Sequence, residues 1–225
     1  QFRPQYQYLD QNKEAEERIY EGETPGVSYG DIAERYYTVG QYMKEVKDVS
    51  KAMAAAGDSY ICDEYLNAMG SPEAESVYVL HDLNNDGIEE FFIGLKFNYD
   101  IPYYVIYDVY TWKDGRAYQL MRGIGYRNGS CKICENGVIE DNYSGSAWDG
   151  QTLYHILPEG GIELETIDSV SSRRDGTVQS YYHWNELIDE NSLQTILEQY
   201  QPESVTYVDC NRETIEQLRL SGIRK

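Results

Sequence analysis

From residue 31 onward, apolar side chains return at every third or fourth position: Ile32, Tyr36, Val39, Met43, Val46, Val49, Met53 and Ala56. That period marks one face of an α-helix, so the spacing predicts a long amphipathic helix over 31–56. Ser28 or Asp31 can cap its first turn with a side-chain oxygen, and Gly57 can end it. A shorter helix is expected over 60–69, closed by Gly70-Ser71-Pro72. Residues 1–26 are polar, hold Pro4 and Pro25, and carry a mixed-charge run over 13–18. They read as a loosely attached arm or short helix with no chemistry of its own.

The period changes after residue 76. Segments rich in β-branched and aromatic residues, over 77–80, 90–97, 103–112, 117–122, 131–134, 138–142, 151–157, 163–170 and 178–183, are separated by turn dipeptides. The dipeptides are Asp86-Gly87, Asp114-Gly115, Asn136-Gly137, Gly160-Gly161 and Asp175-Gly176, each tolerant of the positive φ that a tight hairpin demands. Parallel strands need crossovers of a dozen or more residues, and the gaps here are too short. An antiparallel, hairpin-rich meander follows, and a doubly wound nucleotide-binding fold is excluded. Helices are expected again over 187–200 and 211–220, flanking a short strand at 205–208. The fold class is therefore α+β: a long N-terminal helix packed on an antiparallel meander, with C-terminal helices. One domain over 27–225 accommodates this, helical over 27–70, sheet over 76–184 and helix-strand-helix over 185–225, behind the arm at 1–26.

Composition narrows the partners. Hydrophobic residues make up 41% of the 225, enough for a core without disulfide staples. With 19 basic against 39 acidic residues the formal charge is -20, which repels phosphate backbones and anionic lipid heads. No nucleic acid and no direct membrane insertion of this segment are expected, since neither end carries a bilayer-length apolar run or a signal-peptide pattern. Cys131 and Cys134 are three apart in a strand and point to opposite faces, so they should not bridge each other. A zinc site wants two close pairs of soft ligands, and Cys62 and Cys210 stand alone. Structural thiols are the expectation.

One segment carries chemistry. In Asp82-Leu83-Asn84-Asn85-Asp86-Gly87-Ile88-Glu89-Glu90 the oxygen-bearing side chains fall at positions one, three, five and nine, with glycine at six. A hard cation such as calcium takes six to eight oxygens, and the glycine lets the chain turn around it. Side-chain oxygens of Asp82, Asn84, Asp86 and Glu90 and the main-chain carbonyl of Ile88 are the expected ligands. Position twelve is Ile93, inside the apolar run that follows, so the segment is not a full EF-hand. The alternative is a polar turn in which Asp and Asn bond their own backbone.

This spacing is similar to the calcium loops of FG-GAP repeats and to the first half of the dockerin loop. The stretch Tyr78-Val79-Leu80-His81-Asp82 through Phe91, with Tyr107 to Trp112, Cys134 to Glu140 and Tyr200-Gln201-Pro202, resembles a class of secreted or lipoprotein-anchored domains of gut-dwelling Gram-positive bacteria. Their hallmark runs approximately Y-A-L-Y-D-I-D-G-D-G-I-x-E-L. The resemblance implies an extracellular or cell-surface location and carries over no catalytic residue.

Tyrosine is abundant at 23, beside Trp112, Trp148 and Trp184. Aromatic faces can stack on sugars or peptides, although tyrosine also packs well in ordinary strands. The small, polar stretch 142–150 around Trp148 has the makeup of an exposed loop, so Tyr143, Trp148 and Trp112 are the candidate ligand surface. Gly123-Ile124-Gly125 reads as a turn. His81, His155 and His183 are dispersed and form no metalloprotease or nucleophile-elbow motif, though dispersed positions can converge in space. Three readings follow: a non-catalytic, calcium-stabilised extracellular module presenting a surface to a protein or cell-envelope partner; a carbohydrate-binding module using Tyr and Trp faces; and a secreted hydrolase.

Overall fold

The computed structural model describes residues 19–23, 28–56, 61–124, 131–144, 148–158, 161–171, 178–184 and 186–221. Ser28 and Asp31 act together at the first helix: the Ser28 hydroxyl accepts from the Asp31 N–H, and the Asp31 carboxylate accepts from the Ser28 N–H, a reciprocal capping box. Helix α1 (Tyr29–Val46) ends earlier than the apolar period suggests, at Lys47 in the left-handed region (φ 53°). The Asp48 side chain then accepts the Lys51 N–H and starts α2 (Val49–Ala56), so one expected helix is two. A strong N-capping residue inside an unbroken apolar stripe is the cause. Gly57 and Tyr60 lie outside the described residues, and α3 spans Asp63–Met69 behind Cys62.

The strands are β1 (Ile19–Glu23), β2 (Ala74–His81), β3 (Glu90–Phe97), β4 (Tyr103–Lys113), β5 (Arg116–Arg122), β6 (Cys131–Cys134), β7 (Val138–Ser144), β8 (Trp148–Ile156), β9 (Ile162–Ser171), β10 (Val178–His183), β11 (Glu186–Ile188) and β12 (Val208–Asp209). Helices α4 (Glu190–Leu197) and α5 (Arg212–Ser221) follow the strands. Part of the expected polar arm is thus a strand, β1, paired with β5. The helix expected from 187 begins instead at Glu190, capped by Asp189, because Trp184 in the left-handed region (φ 49°) turns the chain into β11. The turns Asp114-Gly115 and Asn136-Gly137 have positive φ at both residues, as the dipeptides required.

The expected meander is antiparallel throughout but folds as two sheets: β1-β5-β4-β3-β2-β12 and β11-β10-β9-β8-β7-β6. Three apolar layers result. Phe91, Ile93, Leu95, Val105, Tyr107 and Tyr110 of the first sheet pack under α1, α3 and α5. Phe92, Ile106, Val109, Leu120 and Met121 on its other face meet Ile133, Ile139, Tyr154 and Ile156 of the second sheet. Val138, Leu153 and Ile167 on the far face of the second sheet are covered by Leu193 of α4. The first sheet is covered on both faces, which explains the unbroken apolar run of β3. At Gly94 the main chain of β4 leaves no room for a side chain: a Cβ there would stand 2.1 Å from the Val105 carbonyl oxygen.

Cys131 belongs to the layer between the sheets and Cys134 to the layer under α4, so the two thiols do sit on opposite faces. None of the four cysteines forms a disulfide, and all are buried. Among the described residues no helix is long and apolar enough to cross a membrane.

Candidate functional site

The segment Asp82 to Glu89 joins β2 to β3, with His81 and Glu90 paired across its base. Asn85 (φ 58°) and Gly87 (φ 86°) take the left-handed conformation, so the chain turns around the side chains between them. The Asp82 carboxylate accepts the N–H groups of Asp86 (3.1 Å) and Gly87 (3.0 Å), and the Asp86 carboxylate accepts that of Ile88 (2.7 Å). The Asn84 amide donates to Asp86 Oδ2 (3.2 Å) and, across the molecule, to the Leu157 carbonyl at the end of β8 (3.0 Å). The bend is therefore tied to the second sheet as well as to its own strands.

Glu90 departs from the other oxygens. It is 0% exposed, and its carboxylate accepts the Leu83 N–H (3.0 Å) and the Thr111 hydroxyl (3.1 Å). Burial pushes its pKa up to about 7, against the two hydrogen bonds and with help from the Asp86 and Asp82 charges. Tyr29 lies beside the same bend: its hydroxyl donates to the Glu89 carbonyl (2.9 Å), and burial, then the Glu90, Glu89 and Asp86 charges, raise its pKa.

The donors fit a hard cation in kind. They are carboxylate, amide and main-chain oxygens, and among the described residues no lysine, arginine or histidine pairs with Asp82, Asp86 or Glu90. Three carboxyl groups around one bend without a basic partner leave charge that a cation would offset. They do not converge as a three-carboxylate cage, since among the described residues no three His, Cys, Asp or Glu side chains are disposed to hold a metal. A calcium ion would be held by Asp82, Asn84, Asp86 and the Ile88 carbonyl, with Glu90 bracing the loop from inside.

A second constellation was not legible in the sequence. His155 of β8 and His183 of β10 both direct Nε2 at Glu165 of β9, at 2.9 and 2.6 Å, and the Tyr200 hydroxyl adds a third contact at 2.7 Å. Burial alone would raise the Glu165 pKa, but the His155, Tyr200 and His183 hydrogen bonds outweigh it and hold the carboxylate down at about 2. The third histidine, His81, contacts Glu203 at 2.9 Å in the segment after Tyr200. That segment also bonds the edge of β6, through Glu135 N–H to Gln201 O and Glu203 N–H to Ile133 O. All three histidines thus help fasten the chain that leaves α4 across the sheets. The β8–β9 register, which opposes His155 to Glu163, was the signal that could have found the cluster.

Comparison with family models, with curated proteins and with solved structures finds no match to this chain. The candidate surface residues fall in different places. Trp112 is half-buried and packs edge-on to Tyr29 (6.0 Å, 78°) beside the helix-covered core. Tyr143 and Trp148 lie in β7 and β8, whose pairing runs out to Ser144 and Asp149, and residues 145–147 of the expected loop lie outside the described residues. The side chains of Tyr143 and Trp148 lie outside the described residues.

Proposed function

We propose that the chain is a non-catalytic extracellular or cell-surface module in which calcium braces the Asp82 to Glu90 bend and the rigid double sheet presents a surface to a protein or cell-envelope partner. The observation that carries this reading is the bend itself: alternate oxygens of Asp82, Asn84 and Asp86 on one turn, without a basic partner among the described residues, tied by Asn84 to the second sheet. An ion there would fasten two sheets at one point, a structural role and not a chemical one. At the weak affinity usual for extracellular calcium modules, ion in excess adds about 1 to 2 kcal/mol. For a domain of this size that is a rise in midpoint of about 2 to 8 °C. Scanning calorimetry in calcium and then in EDTA measures it, and an identical midpoint with no bound ion sinks the calcium part of the proposal.

The hydrolase reading has one observation to draw on, the Glu165 cluster. Its carboxylate is held near pKa 2, too low for a general base at neutral pH, and three donors already occupy it. Among the described residues neither His155 nor His183 bonds a serine, threonine or cysteine side chain, so no activated nucleophile accompanies them. The cluster is better read as a bracket for α4 and the segment behind it.

A further inference from the structure

We propose that Tyr36 is a redox-active side chain, giving one electron to a diffusible one-electron oxidant while its hydroxyl proton passes to Asp108. The products are a neutral phenoxyl radical, a neutral carboxylic acid and the oxidant reduced by one electron. This activity is separate from the binding role above and needs no cation. The Tyr36 hydroxyl of α1 donates to Asp108 Oδ2 of β4, and the Tyr110 hydroxyl lies 2.8 Å from the Tyr36 oxygen. The proton is thus already within hydrogen-bond reach of its acceptor, and once it has moved, Tyr110 donates to the phenoxyl oxygen. Tyr36 is 1% exposed and Asp108 0%. An electron taken from a buried phenol with no base beside it would leave a buried cation, which is costly. Here the pair starts as a phenol and a carboxylate and ends with both members neutral. Oxidation removes a buried charge instead of creating one.

The neighbouring tyrosines lack such a base. The Tyr65 hydroxyl meets the Ser76 hydroxyl and the Tyr36 carbonyl, and the Tyr29 hydroxyl donates to the Glu89 carbonyl. Tyr200 does donate to a carboxylate, Glu165, at 2.7 Å. Burial raises the Glu165 pKa, but its His155, Tyr200 and His183 hydrogen bonds hold it down at about 2, so it accepts a proton poorly. Burial pushes Asp108 up to about 6, against the Tyr36 and Gly123 hydrogen bonds and the Arg122 charge, which makes it the better acceptor. The oxidising equivalent also has a way in. Tyr107, 6% exposed, meets Tyr65 edge-on with centroids 5.9 Å apart, and Tyr65 meets Tyr36 edge-on at 4.9 Å. This ladder of oxidisable rings ends at the phenol whose proton has somewhere to go.

The test is flash oxidation of the full chain by a photogenerated ruthenium(III) polypyridyl complex, read by freeze-quench electron paramagnetic resonance at high field. The wild type should show one long-lived, hydrogen-bonded tyrosyl radical, since phenoxyls at the surface couple with one another and decay. Tyr36→Phe, which keeps the ring, should lose that signal, and Tyr200→Phe should keep it. In the wild type the yield should fall as pH is lowered through about 6, because protonated Asp108 cannot take the proton. The other ionisable groups around Asp108 are Cys62 and, from α3, Tyr65, with Tyr107 and Tyr110 on its own strand and Arg122 on β5. Burial keeps the phenols and the thiol protonated across that range. Asp108→Asn should lower the yield and remove the pH step; the wild-type pH profile carries the same information should that variant not fold. A long-lived radical that survives Tyr36→Phe, is lost in Tyr200→Phe or sits on the Cys62 sulfur overturns the proposal. So does a wild type without a long-lived tyrosyl radical, or with a yield that stays flat as Asp108 titrates.

Discussion

Replacing Tyr36 by Phe removes one hydroxyl from the centre of the helix-covered core, and its cost should depend on pH. The Tyr36 hydroxyl donates to Asp108 Oδ2 and lies 2.8 Å from the Tyr110 hydroxyl, while Asp108 Oδ1 accepts the Gly123 N–H at 2.9 Å. Asp108 is 0% exposed, and burial pushes its pKa up to about 6, although the Tyr36 and Gly123 hydrogen bonds and the Arg122 charge pull it down. The folded state thus holds this proton more tightly than the unfolded chain does. The contribution of Asp108 is most favourable below the ordinary aspartate range and declines as pH rises through about 6. A rise of about 2 units corresponds to about 3 kcal/mol of cost once the carboxylate is ionised. Without the Tyr36 hydroxyl the ionised form loses its strongest donor, so the pKa rises further and the extra cost appears above pH 6. Urea denaturation should find Tyr36→Phe less stable by about 1 to 2 kcal/mol at pH 5 and by about 3 kcal/mol at pH 8. An equal loss at both pH values would refute the reasoning, because the hydroxyl would then be acting as packing and not as a donor to a charge.

Glu165→Gln should act with the opposite sign. A carboxylate held at about 2 contributes fully above the ordinary glutamate range and loses its contribution as pH falls through about 2. The variant should be about 1 to 2 kcal/mol less stable at pH 7, a figure reduced for partial solvent access, with the gap closing in acid urea melts; a gap that stays constant with pH would contradict this. Gly94→Ala should cost about 3 kcal/mol or more in thermal unfolding, since the added Cβ meets main-chain atoms of Val105 at 2.1 and 2.9 Å; a near-normal midpoint would contradict the close approach of β3 and β4. The four buried thiols should resist a thiol reagent in the native protein and all react in urea, and fast native labelling of any one would contradict its burial.

The strands were the most legible part of the fold, because hairpin dipeptides punctuate them. The spans read for β3, β6 and β10 coincide with the observed ones. The division into two sheets was harder to see. Alternation along one strand fixes which side chains share a face, but nothing local says that the chain changes sheets between β5 and β6. One clue was present in the uninterrupted apolar run Phe91-Phe92-Ile93, which only a sheet buried on both sides explains. The break between α1 and α2 was hidden by the apolar stripe running through Lys47 and Asp48, and the β11 hairpin by the apolar pair Leu187-Ile188. At the sites, the Asp82 bend is local in sequence, so its oxygens could be named in advance. The inward turn of Glu90 could not, because it depends on Thr111 arriving from β4. The Glu165 cluster joins β8, β9, β10 and Tyr200, three residues past the end of α4, a convergence that only tertiary register produces.

The most direct measurement of the cation claim uses Tyr29, whose hydroxyl reaches the Glu89 carbonyl of the Asp82 to Glu90 bend. Terbium titrated into the protein should show luminescence sensitised by the neighbouring aromatic rings, calcium should displace it, and Asp82→Ala with Asp86→Ala should abolish it. Emission no stronger in the wild type than in that double variant, or signal that calcium does not displace, would mean that the bend is a hydrogen-bonded turn and nothing more.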